Sequence, residues 1–225
     1  MKDNRAGGIA LIAGAIGSII TLIIHPSGGH DLFAPDKFAH TAAMMVAAHS
    51  LAIASMSIMF LGALALTRCL APNRVAIAAL VIYGFASAAV MSAATVDGFV
   101  GPSVLRHVIF DTPPLTGQWR SLFVYNQLFV EAFTQVFVVA SAVAIVLWSA
   151  SIVKTRLIPM GAAVYGFLLG LGCVVAVAAG ASGNANAVHL VMLGQIIWFL
   201  LAGILLWRLK RNDLPVAVES RVAGR

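Results

Sequence analysis

The sequence predicts an all-α, polytopic integral membrane protein, a six-transmembrane-helix bundle built of three helical hairpins, and three observations carry that reading. Of the 225 residues, 61% are hydrophobic and only 10% are charged, with a mean hydropathy of +0.98. Soluble domains carry about 25% charged residues, so this chain cannot cover itself with polar surface in water. The second observation is a set of six apolar stretches, each near the roughly 20 residues that span a bilayer core as a helix. The third is the placement of basic residues, which gather in alternate links between those stretches.

The spans fall at about 8–24, 38–66, 75–97, 121–149, 157–180 and 186–207. Together they make one transmembrane domain over residues 1–209. Lys2 and Arg5 precede the first run as they would in a signal peptide, but the run is longer than the roughly 7–15 residues of such a segment and no A-x-A site follows. It is read as a permanent helix. The second span belongs to the long stretch Asp36 to Arg68, whose only helix breaker is Gly62 and which holds His40, His49, Met44, Met45, Met56 and Met59. At 1.5 Å per residue it measures about 50 Å, so it spans the bilayer and projects beyond it or tilts. Between the third and fourth spans lies the longest link, Gly98–Arg120, with Pro113-Pro114 and Trp119; it reads as a functional loop or a cap on the bundle. Gly14 and Gly17, and Gly166 and Gly170 with Gly161 and Gly172 nearby, supply small surfaces for close helix approach. The tail 210–225 is polar, carries Pro215 and lacks a spanning pattern.

Orientation follows from charge. With the N-terminus in the cytoplasm, one side holds Lys2, Arg5, Arg68, Arg74, Lys154, Arg156, Arg208, Lys210, Arg211, Arg221 and Arg225, and the other only Lys37, Arg106 and Arg120. Both termini are therefore expected in the cytoplasm of a plasma (inner) membrane. The same bias accounts for the net charge of +6: basic helix ends meet anionic headgroups, so the partner is the lipid bilayer and not nucleic acid. Cys69 and Cys173 lie at different depths, which excludes a disulfide between them.

The chemistry-bearing residues emerge when depth is counted from each helix's basic anchor. His25 is 20 residues from Arg5, His49 is 19 from Arg68 and His189 is 19 from Arg208. Asp97 is 23 from Arg74 and Glu131 is 23 from Lys154. At 1.5 Å per residue the histidines share one level and the carboxylates sit about 5 Å further out. Ionisable groups at membrane depth face a bundle interior or water and mark function. His25, His49, His189, Asp97 and Glu131 are thus candidate metal ligands, and His49 with His189 form a candidate cofactor site shared by two helices running in one direction. Imidazoles with carboxylates suit a transition metal ion, and two imidazoles suit a haem. On the fourth span Gln127, Glu131 and Gln135 recur at i, i+4 and i+8, a stripe expected to face the interior. His40 is half a turn away from His49 and belongs at the outer surface, and His30 and His107 fall in loops.

The function expected from this pattern is a small membrane protein with a His/carboxylate pocket open to the outer side, binding a metal ion or haem in a redox or metal-handling role. A small-solute or ion transporter, a metal-dependent membrane hydrolase and a structural subunit without chemistry are the alternatives. Several motif classes are absent: no H-x-x-x-H, H-E-x-x-H, C-x-x-C, P-loop or G-x-G-x-x-G occurs. The GASG at Gly180–Gly183 resembles the serine motif of rhomboid proteases, but Ser182 and His189 are too near in sequence to sit on separate helices, which excludes that dyad. His25 to Asp31 resembles the HP…DH signature of nickel/cobalt permeases over seven residues only, with the final His-Asp order reversed.

Overall fold

Every regular element among the described residues of the computed structural model is helical. The structure describes residues 2–25, 34–70, 73–111, 115–178 and 185–209. In chain order these form α1 (Lys2–Ile24), α2 (Phe38–Cys69), α3 (Arg74–Thr95), a π-helical turn (Val96–Val100), α4 (Gly101–Phe110), α5 (Leu115–Thr155), α6 (Met160–Ala178) and α7 (Ala185–Arg208). Among the described residues six helical stretches are long and apolar enough to cross a membrane, with α3, the π-turn and α4 counting as one. The protein is a multi-pass membrane protein, and lipid faces its apolar exterior.

Local chemistry sets the helix ends. Asn73 caps α3, its side chain accepting from the Val75 N–H at 3.1 Å. Arg156 ends α5 with φ of 53°, and its N–H reaches back to the Ile152 carbonyl at 2.8 Å, the left-handed stop usually given to glycine.

α1 packs against α2 and α7, α3 against α5, and α5 against α6. Glycine makes the closest of these approaches possible. A Cβ on Gly8 would lie 2.7 Å from the Gly203 carbonyl oxygen, so α1 and α7 touch backbone to backbone there. Gly14 and Gly17 seat against α2, and Gly166 and Gly170 against α5, whereas Gly161 and Gly172 face open space. The half of the bundle near Arg68 and Arg208 is filled by Tyr83, Trp148, Trp198 and Phe199, all buried. Trp148 and Trp198 stack at 5.9 Å, and their indole N–H groups donate to the Thr67 hydroxyl and the Ala162 carbonyl, each at 3.0 Å. This pairing satisfies both indole donors inside the bundle. Both cysteines are free and buried.

Two expectations change. Gly98–Arg120 is not an open loop: α3 continues through the π-turn into α4, and α5 begins at Leu115. The helix passes Gly98, Gly101 and Pro102 because Gly101 donates to the Val96 carbonyl five residues back and Pro102 then occupies the first turn of α4, where its missing N–H costs nothing. His107 consequently lies on α4, bound to Asp111 at 3.1 Å and stacked on Trp119 at 4.2 Å. The Gln127–Glu131–Gln135 stripe does not face the interior either. Gln127 and Glu131 are exposed, and Glu131 accepts from the Gln135 amide at 3.1 Å. Glu131 stands about 34 Å from Lys154 along the helix, more than the roughly 30 Å of a hydrocarbon core, and its side chain is exposed. The buried polar residue of this part of α5 is Asn126.

Candidate metal centre

Three elements meet at the end of the bundle opposite Arg68: the residue after α1, the N-terminal half of α2, and the π-turn. His25 Nε2 lies 3.3 Å and His49 Nε2 3.1 Å from the same oxygen, Asp97 Oδ2. The two imidazoles meet edge to face, with ring centroids 4.9 Å apart. One ligand atom from each residue falls within 4.8 Å of the others. The side chains of His49 and Asp97 are only 6% and 12% exposed, while that of His25 is 36% exposed, so the group opens along His25.

The π-turn is what aims the carboxylate. An extra residue in the turn rotates the following side chains relative to a regular α-helix, and such insertions recur at functional sites. Here it accompanies Gly98, which lies directly against His49: a Cβ on Gly98 would be 2.6 Å from His49 Cγ and 3.0 Å from Nδ1. Only glycine lets α2 and the π-turn come this close.

The hydrogen bonding of His49 is the informative detail. Its Nδ1 is 2.7 Å from the Met45 carbonyl oxygen, which can only accept, so Nδ1 carries the proton. In the neutral ring Nε2 is then a bare lone pair. That lone pair faces a carboxylate oxygen at 3.1 Å, two acceptors confronting each other. A cation between them, or a second proton on the ring, is required. A backbone carbonyl that fixes the tautomer and directs the other nitrogen inward is also the usual outer support of a metal-ligating histidine.

Bonds of about 2.0–2.1 Å place tetrahedral ligand atoms about 3.4 Å apart. The His–Asp separations of 3.1 and 3.3 Å already match that spacing. A haem does not fit these residues. Two axial imidazoles stand on opposite faces of a flat macrocycle, but here one Asp97 oxygen lies against both Nε2 atoms and Gly98 closes on the ring of His49.

Of the five sequence candidates the structure brings together His25, His49 and Asp97. It does not assemble His49 with His189: His189 is exposed and lines a separate cleft with Ile19, Leu22 and Ile23. Glu131 is exposed beside Gln135. His40 is exposed on α2, and His30 lies outside the described residues. Asn126 had no sequence signal; it is buried, its amide nitrogen has no hydrogen-bond partner, and it lies near Gly101, one turn beyond Asp97. No family model, no curated protein and no solved structure matches the chain, so the site is read from its own geometry.

Proposed function

We propose that this protein is a plasma-membrane metal protein, with both termini in the cytoplasm and its three helical hairpins opening outward, that binds a divalent transition ion through His25, His49 and Asp97. The observation that carries the reading is the confrontation of the His49 Nε2 lone pair with Asp97 Oδ2 while Nδ1 is committed to the Met45 carbonyl. Two imidazoles and one carboxylate form a borderline ligand set that suits zinc. Three protein ligands with an exposed side at His25 match the pattern of centres that keep a position for water or substrate, and not the closed four-ligand pattern of structural sites. In such a position a bound ion acts as a Lewis acid or lowers the pKa of water. His25 and His49 supply neutral donors, Asp97 supplies the compensating charge, and the buried walls around His49 hold the geometry.

Transport through the bundle is less well supported. The half below the site is closed by the Tyr83, Trp148, Trp198 and Phe199 cluster, with no ionisable pathway among its described residues.

Purified protein stripped with chelator and titrated with zinc is expected to take up a single ion per chain, and X-ray absorption should show two imidazoles and oxygen at about 2.0–2.1 Å. Absence of stoichiometric uptake in the micromolar range sinks the reading. Topology is tested by single cysteines at Ser103 and Lys154, both exposed. A membrane-impermeant maleimide should label the first and spare the second in intact cells; labelling of both from outside refutes the orientation.

A further inference from the structure

Asn126 of α5 is only 6% exposed, and its amide nitrogen has no hydrogen-bond partner among the described residues. A buried amide that donates to nothing is rare in a folded protein and marks a place where a bound group belongs. Asn126 sits beside the π-turn and the start of α4, the segment that carries Asp97.

Gly101 gives the shape of that place. A Cβ on Gly101 would lie 3.7 Å from Asn126 Nδ2, 3.7 Å from the Val96 carbonyl oxygen and 3.6 Å from Met45 Cε. A donor, an acceptor and a methyl group therefore ring one point at ordinary contact distance. Neither neighbour of the amide is a donor, so its N–H groups face inward.

The π-turn supplies the acceptors. The Val96 carbonyl takes the Gly101 N–H and keeps a second lone pair. The next carbonyl, that of Asp97, is served neither by Gly101, whose N–H goes to Val96, nor by Pro102, which has none. Helical carbonyls point along the axis towards the C-terminal end, here towards Gly101. Asn126 thus faces these acceptors across a gap that no direct hydrogen bond closes. The species that fits is uncharged, both acceptor and donor, and about the size of a methyl group. Water meets all three conditions, and a buried water makes about three such bonds.

We propose that Asn126, Gly101 and the carbonyls of the π-turn form a buried water site, and that through it Asn126 is a positioning residue for Asp97. The water accepts from the Asn126 amide and donates to the Val96 and Asp97 carbonyls. It ties α5 to the turn that aims the Asp97 carboxylate at His25 and His49. The role towards Asp97 rests on the metal reading above; the water site stands apart from it.

Gly101→Ala and Asn126→Leu test both parts, each as the full chain in detergent, by melting temperature without metal and by calorimetric zinc titration. Gly101 has helical φ and ψ of −51° and −52°, and an added methyl would clash with nothing. With no group in the gap, Gly101→Ala is therefore a stabilising change. The water site predicts the reverse: the methyl expels the water and the melting temperature falls. Zinc affinity should drop about tenfold, the lower end of the about 10–100-fold lost with an outer partner of a metal ligand. Asn126→Leu should act alike, and the double variant should lose no more than either single one, because both remove the same water. If Asn126→Leu does not fold, Gly101→Ala alone decides. A Gly101→Ala protein that melts above wild type overturns the water site. A lower melting temperature with zinc affinity unchanged overturns the positioning role. A wild type that binds no zinc sinks the metal reading and the positioning role with it, while the metal-free melting temperatures still decide the water site.

Discussion

Replacing His49 by Ala is expected to abolish stoichiometric zinc uptake, with affinity falling by well over about 100-fold. Loss of an outer partner that merely orients a ligand costs about 10–100-fold, and this substitution removes both a ligand and its support from Met45. His49 is buried between the Met45 carbonyl and Asp97, so no other side chain can move into its place. The measurement is calorimetric zinc titration of the chelated variant, with a melting curve to show that it folds. Asp97→Asn is the companion: it keeps the shape of the carboxylate but removes its charge, and a large loss of zinc affinity is expected there too. Zinc uptake that survives in both variants would falsify the assignment of these residues as ligands. A site that worked only as a protonated His–Asp pair would instead leave both variants and the wild type equally indifferent to zinc.

Gly98→Ala should damage the fold and the site together. Its Cβ would stand 2.6 Å from His49 Cγ and 3.0 Å from Nδ1, so either the imidazole turns or the π-turn moves away from α2. Overpacking of this kind costs about 1–3 kcal/mol, and turning the ring also breaks the 2.7 Å bond to the Met45 carbonyl. The expected result is a lowered melting temperature in detergent together with weakened zinc binding. Gly161→Ala is the control, because nothing lies within 4 Å of a Cβ there and both readouts should stay at wild-type values. A Gly98→Ala protein with normal stability and normal zinc affinity would show that the close approach of α2 and the π-turn is not needed.

Much of the candidate site was legible as depth. Helical rise is fixed, so counting from basic anchors put His25, His49 and Asp97 near one level of the membrane. Azimuth was not legible in the same way. His189 and Glu131 share that range of depth, yet both are exposed. Glu131 is satisfied within its own helix by Gln135 at 3.1 Å, so a polar stripe with i, i+4 spacing did not have to turn inward. The apparent 5 Å offset between Asp97 and the histidines also vanished. Long basic side chains snorkel, so their positions need not be level, and the π-turn changes the register of everything after Thr95.

By itself the sequence determined that this is a helical membrane protein: its excess of apolar residues leaves lipid as the only solvent, and helices are the simplest way to satisfy every backbone N–H and C=O there. It also determined how many helices among the described residues are long and apolar enough to cross a membrane, since each needs a long apolar run. Which polar groups meet was decided only in three dimensions. That depended on α2 lying against the π-turn through Gly98, and on α1 bringing His25 to the same carboxylate. It also depended on how α7 sits beside α1, which leaves His189 exposed on a cleft with Ile19, Leu22 and Ile23. These are matters of rotation and crossing between helices, set by side-chain packing across the whole bundle, and periodicity along one helix carries no record of them.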